Sequence, residues 1–232
     1  MKSNVNSIYY EHDGKRICQG DIFRDLKYPE RYLPQDIDVD VDELKIPYLV
    51  VLSQDCDLLS DCWNRNDILK IDCDTGEDCS EKEKDHDKLI PSILVCPAYP
   101  VNLFKEGKHL EKFDYQMQDF RKKDTMWNFV ITNQNSRYHF LKAKTELEMP
   151  KVVIDFKQYY TIPRDILYEI LYEKFEEHYL LSLNELFREE LSHRFANYLS
   201  RVGVPLIPKK KKHNPYNFFN PLLHDILKKN SF

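Results

Sequence analysis

The run Tyr48-Leu49-Val50-Val51-Leu52, followed at once by Ser53-Gln54-Asp55-Cys56-Asp57, decides how this chain is read. A continuous apolar run with no polar alternation predicts a central strand covered on both faces. Such a strand, ending in a polar elbow, carries the elbow side chains to the rim of a sheet, where functional groups are often held. Ile93-Leu94-Val95-Cys96-Pro97 repeats the pattern, and Val152-Val153-Ile154-Asp155-Phe156 is a further strand. Around these, residues 8–17 read as a strand, an Asp13-Gly14 turn and a strand start, and Gly20-Asp21-Ile22-Phe23 as a short strand. The strict alternation of Ile37, Val39 and Val41 with Asp36, Asp38, Asp40 and Asp42 gives an acidic edge strand or extended loop, and Ile68–Ile71 another strand. Trp127–Thr132 and Tyr138–Leu141 look like two strands around an Asn133–Ser136 turn, and Tyr115–Phe120 like a helical turn.

The last third changes character. Pro163 suits the first position of a helix, although Tyr168–Leu181 has a composition that also fits strand. Ser182 with Glu185 three positions on forms a capping box. Leu183, Phe187, Leu191, Phe195, Tyr198, Leu199 and Val202 then recur at helical spacing until Gly203 and Pro205. The expected class is α+β, a β-rich core with a helical C-terminal extension.

At 232 residues, with 42% hydrophobic and 31% charged, the chain can bury one sizeable core. It contains no apolar run near the roughly 18–20 residues that cross a bilayer, and the first residues lack the apolar segment of a secretory signal. A cytoplasmic protein with no membrane association is expected, and its six cysteines are read as thiols rather than a disulfide framework. The net charge of −5 argues against a surface that coats nucleic acid throughout, so such contact would be local. Residues 72–88 form a hydrophilic insertion, whereas Lys209, Lys210, Lys211 and Lys212 form a basic run followed by Tyr216, Phe218 and Phe219. Lysines there can hold phosphates while rings stack on bases; a solvated tail anchored by its aromatics is the plainer reading.

Asp55-Cys56-Asp57 is the densest candidate for chemistry. Either the aspartates cap a turn with Cys56 tucked under the sheet, or the elbow binds a ligand or catalyses a reaction. Two flanking carboxylates oppose the thiolate that a nucleophilic Cys56 would need. Cys56 with Cys62, and Cys73 with Cys79, each bracket five residues, wider than a zinc knuckle, so no metal or cofactor is expected. Arg137, before a strand, and Arg194 and Arg201, on one helix, are candidate phosphate ligands, with solvated or ion-paired arginines as the alternative.

The order of these signals resembles the PemK/MazF group of toxin-type, SH3-like small β-barrels. Gly20-Asp21-Ile22, Pro47 to Gln54, Leu94-Val95-Cys96-Pro97 and Val152-Val153-Ile154-Asp155 fall in that group's order, over roughly the first 165 residues. The resemblance implies a PemK-like barrel over 1–160 with its insertion at 72–88, a helical subdomain over 161–207 and a basic, aromatic tail over 208–232. That group cleaves RNA with an arginine before the proline opening the second strand and a Ser or Thr past the proline ending the third. Here those places hold Ile46 and Tyr99, which supply neither group. Cleavage would therefore run through other residues, with Asp55, Cys56, Asp57 and Arg137 as candidates. Nucleic-acid binding would fall to Arg194, Arg201 and Lys209–Lys212. The chain also resembles larger bacterial relatives with a Ser-Gln-x-Cys-Asp-Leu elbow and a helical extension, which implies a role in a conflict or phage-defence system. Its expected partners are RNA, a protein encoded nearby, or a second copy of the chain. The alternative expectation is a catalytically inactive interaction subunit of a larger defence assembly.

Overall fold

In the computed structural model, residues 7–27, 45–65 and 86–201 are described. The alternating segment at 36–42, the strand at 68–71, most of the insertion, Cys73, Cys79, the 202–207 end of the helical reading and everything from Lys209 onward lie outside them.

The apolar runs become the middle of one antiparallel sheet. In chain order its strands are β1 (Tyr9–Tyr10), β2 (Asp21–Lys27), β3 (Lys45–Val51), β4 (Ser92–Pro100), β5 (Tyr138–Leu141), β6 (Val152–Asp155), β7 (Tyr160–Pro163) and β8 (Tyr179–Leu183). Their order across the sheet is β1-β8-β2-β3-β4-β6-β5, and β7 also pairs with β4. β4, nine residues long, has β3 on one side and both β6 and β7 on the other. The single-turn helix Phe156–Gln158 separates β6 from β7, its first N–H groups capped by Asp155, whose carboxylate accepts from Lys157 N. β1 and β5 form the two edges, so among the described residues the sheet is open and no barrel closes.

Period-two alternation divides the core. From β3, Val50 joins Ile22, Cys96, Ala98, Ile154, Leu181 and Leu183 on one face, which is covered by Leu191 and Phe195 of α6 (Glu185–Leu199). Leu49 and Val51 join Phe23, Ile93 and Val95 on the other, under Leu58 of α1 (Asp55–Asn64) and Leu167 and Leu171 of α4 (Arg164–Glu173). Farther along that second face, Tyr99, Tyr138 and Val153 pack with Phe104 of α2 (Val101–Glu106) and Val130 of α3 (Asp124–Ile131). A short helix α5 (Phe175–His178) precedes β8. Gly20, at φ +86°, donates to Val51 O and accepts from Leu183 N; a Cβ there would meet Leu183 Cβ at 2.9 Å.

Several local expectations change. Residues 8–17 form no hairpin, because β1 pairs with β8 rather than with its neighbour in sequence. Trp127–Ile131 is helix, not strand, with Thr132 as its C-cap, and Tyr115–Phe120 is irregular. Ser182 is not a helix cap: it is a fully buried residue of β8, and Asn184 caps α6 by accepting from Glu185 N at 2.7 Å. Within the 161–207 segment read as helical, β7 pairs with β4 and β8 lies between β1 and β2 in the sheet, with α4, α5 and α6 around them.

Candidate functional site

β3 ends at Val51, and the elbow turns directly into α1, with Gln54 in an extended conformation at its N-cap. Asp55, the first residue of the helix, points back into the fold. Its carboxylate receives both arms of Arg16 (Nη1 to Oδ1 3.1 Å, Nη2 to Oδ2 3.0 Å), the Gln19 N–H at 3.1 Å and Arg188 Nη1 of α6 at 3.3 Å. Burial alone would raise its pKa; the Arg16 fork, the Gln19 N–H and the Arg188 charge outweigh burial and hold it below the usual value. A carboxylate so engaged is an anchor joining the 16–19 loop, α1 and α6, and is poorly placed to take a proton from a substrate.

Gln54, Cys56 and Asp57 are the exposed members of the elbow. Cys56 is not tucked under the sheet; its Sγ has only long contacts, 3.7 Å each, to Gln54 Oε1 and Asp57 Oδ1. Cys62, six positions on, is fully buried. Beside the elbow lies a groove of about 630 Å³ between α1, residues 87–94 and α6. Gln19, Ser53, Asp57 and Ser192 line it together with Leu94 and Phe195. Gln19 and Ser192 were not singled out in the sequence; nothing in their local pattern marks them, since their meeting requires α6 to pack over the elbow.

Two of the three arginine candidates are committed to the fold. Arg137 makes a two-armed ion pair with the fully buried Asp155 (Nε to Oδ1 2.8 Å, Nη2 to Oδ2 2.6 Å). Arg194 donates to the backbone carbonyls of Asn133, Asn135 and Tyr138, the last two at 2.8 and 2.7 Å. Arg201 is exposed at the end of the described segment. A comparable clamp that the sequence reading missed is Asp61, which binds Arg164 Nε at 2.7 Å, Arg65 Nε at 2.8 Å and the Ile90 N–H at 2.8 Å.

One group of His, Cys and Asp converges among the described residues: His12, Cys18 and Asp21. Its hydrogen bonds fix the proton. The Gly14 N–H donates to His12 Nδ1, so the neutral ring carries its hydrogen on Nε2 and donates it to Asp21 Oδ1 at 2.9 Å. A metal on Nε2 would require the hydrogen on Nδ1, facing the Gly14 N–H. Burial and Asp21 push the Cys18 thiol up to about 12. The group therefore fits a hydrogen-bonded loop lock better than a metal centre or a nucleophile.

A second surface lies on the far part of the sheet. α3 turns Val130 inward and leaves Met126 and Phe129 each 45% exposed. Beside it an apolar groove of about 520 Å³ is lined by Val101, Trp127, Ile131, Phe140, Lys142 and Lys151. Lys105 Nζ sits 5.5 Å from the Trp127 ring centre. No acidic residue lines this groove.

No protein-family model matches the chain, and no curated protein matches it significantly. No helix among the described residues is long and apolar enough to cross a membrane.

Proposed function

We propose that this chain is an interaction subunit without catalytic function, which binds a partner protein through the α3 face. The observation that carries the reading is the apolar exposure of α3: Met126 and Phe129 stand 45% exposed and Ile131 36%, and Ile131 with Trp127 lines a groove that also takes in Lys142 and Lys151, with Lys105 against the Trp127 ring. Apolar side chains presented together on a folded surface mark a binding site, and a rim of one sign selects the opposite sign. The occupant that fits is an apolar segment with acidic flanks. A nuclease reading has less support, because Asp55 and Arg137 are each held in ion pairs that the fold requires.

The resemblance to PemK and MazF enters this proposal in reduced form. β2, β3, β4 and β6 contain the four segments that resemble PemK and MazF strands, and they are neighbours in that order. The further strands β8 and β1 at one end and β5 at the other extend that unit as an open sheet. A place in a bacterial conflict system belongs to the same proposal.

The test compares tagged wild type with Ile131→Asp, an exposed residue of the groove wall, in the native host. A protein retained stoichiometrically by wild type should bind the variant at least about 30-fold more weakly, the loss of one central anchor of about 2 kcal/mol. Unchanged binding would sink the proposal. Retention of RNA instead, released by salt, would replace it with the nucleic-acid reading, Trp127 and Phe140 then serving as stacking platforms.

A further inference from the structure

The β5 edge of the open sheet is closed by groups from within the chain. The Phe156 N–H donates to Arg137 O, which sets the backbone groups of His139 and Leu141 toward β6 and turns those of Tyr138 and Phe140 outward. Each of those outward groups has a partner. The Phe140 N–H donates to Asn133 Oδ1 at 2.6 Å, and the Phe140 carbonyl accepts from Asn133 Nδ2 at 3.3 Å. One carboxamide thus makes the pair of bonds that a residue of a neighbouring strand would make. Asn133 does so from a left-handed backbone at φ +58°, which asparagine adopts more readily than most residues. At Tyr138 the N–H donates to Asn135 O at 3.3 Å, and the carbonyl accepts from Arg194 Nη2 at 2.7 Å. Arg194 also donates to the carbonyls of Asn133 and Asn135, so α6 holds the turn against the edge. Just past β5, the Lys142 carbonyl accepts from the Tyr9 hydroxyl of β1.

Phe140 is both the residue so capped and a wall of the apolar groove beside α3. We propose that the partner segment docking there does so as one face of an amphipathic helix with acidic residues at its margin, and not as a strand added to β5. This names the partner's form at the α3 face and rests on that reading. An extended segment laid along the groove would bring its own N–H and C=O groups to a wall whose backbone groups are already engaged. Burying them unpaired costs more than a made bond returns. A helix arrives with its backbone bonds made internally and presents side chains alone. Those are what the groove can receive: Val101, Trp127, Ile131 and Phe140 offer apolar contact, and the ammonium groups of Lys142 and Lys151 attract carboxylates.

Asn133→Gly discriminates the two modes, because glycine keeps the backbone conformation and removes the carboxamide. In the isolated full chain the Phe140 amide should exchange at least about 10-fold faster in the variant, the effect of losing one hydrogen bond, while those of His139 and Leu141 hold their rates. The protein that wild type retains and Ile131→Asp releases is then titrated against both forms. Asn133→Gly should bind it no more tightly than wild type, and a proline at the centre of its docking segment should weaken binding about 100-fold. Strand addition requires the reverse, since removing the cap frees the edge. A variant that binds about 10-fold tighter than wild type therefore overturns the proposal, as does full affinity of the proline-bearing partner. Equal Phe140 exchange in the two forms overturns it without any partner, because the edge is then open. Partner retention that ignores Ile131→Asp sinks the α3 reading, and this docking mode with it, whatever the exchange rates show.

Discussion

Replacing Asp55 by alanine separates an anchor from a catalyst. The carboxylate accepts four hydrogen bonds or ion-pair contacts, from two arms of Arg16, from the Gln19 N–H and from Arg188. The side chains of Asp55 and Arg16 are each 22% exposed and that of Arg188 14%, so the cluster is neither dry nor fully wet. Breaking a buried ion pair by removing one member costs about 3–5 kcal/mol, and an exposed pair contributes about 0–1. At this partial exposure the lost pairing comes to about 2 kcal/mol, and the orphaned Gln19 N–H adds about 1. A total near 3 kcal/mol corresponds to a fall in Tm of about 6–12 °C for a chain of this size. Thermal and urea melts at pH 7 read it, and a double-mutant cycle with Arg16→Met should return a coupling of about 2 kcal/mol. The pH dependence has a definite sign. The folded pKa of Asp55 lies below its unfolded value, so its stabilisation is complete above about pH 4 and disappears as pH falls through the folded pKa. The gap between wild type and Asp55→Ala should close in that acid range. A variant that melts within about 2 °C of wild type, with no coupling to Arg16, would refute the anchor argument and reopen a direct chemical role.

Two further outcomes follow from burial. Native maleimide labelling with peptide mapping should modify Cys56, which is exposed, and spare Cys18, Cys62 and Cys96, which are buried; labelling of Cys18 at a comparable rate would contradict the packing of the 16–19 loop. Burial lowers His109 to about 4 and His139 to about 3, and both His109 ring nitrogens and His139 Nδ1 lack partners. Both folded values lie below the unfolded one, so stability should be full above about pH 6.5 and fall with acidification by about 1.4 kcal/mol per pH unit per histidine. Melts from pH 6.5 to 4.5 should show His139→Leu losing about half of the slope, and an unchanged slope would contradict the assignment.

The strands visible in the sequence are those whose signal is local and continuous. Tyr48–Leu52, Ile93–Pro97 and Val152–Phe156 are buried on both faces, so composition alone reveals β3, β4 and β6. β8 was hidden because its partners are remote: Leu183 pairs with Tyr9 and Ser182 with Asp21, more than 150 residues away. A Ser-x-x-Glu spacing before an apolar periodicity reads as a helix cap unless that long-range pairing is known. Once Ser182 is taken into the sheet, Asn184 becomes the first side chain able to cap Glu185 N. The open sheet has the same origin, since a reading based on strand order cannot see that β1 and β5 end as edges.

The candidate site was legible as a place more than as a chemistry. An elbow behind the strongest strand did prove to border a groove, yet charge made Asp55 look like the reactive group when charge is what commits it to the fold. Its partners, Arg16 and Arg188, lie 39 and 133 positions away, so the sequence shows a carboxylate without the cations that neutralise it. Arg137 with Asp155 and Arg194 with three carbonyls repeat the case. Near a buried sheet an ionised group must be compensated, and compensation removes it from solution chemistry. What remains along the groove is neutral side chains such as Ser53 and Ser192 beside apolar ones such as Leu94 and Phe195. The α3 face shows what was within reach. Between Met126 and Ile131 five of six residues are apolar, which resembles a buried strand. As a helix the same segment turns about 100° per residue and cannot bury them all against one sheet face. The helix buries Val130 and leaves Met126, Phe129 and Ile131 at 45%, 45% and 36% exposure, so assigning helix rather than strand here converts an apparent core segment into an exposed apolar surface.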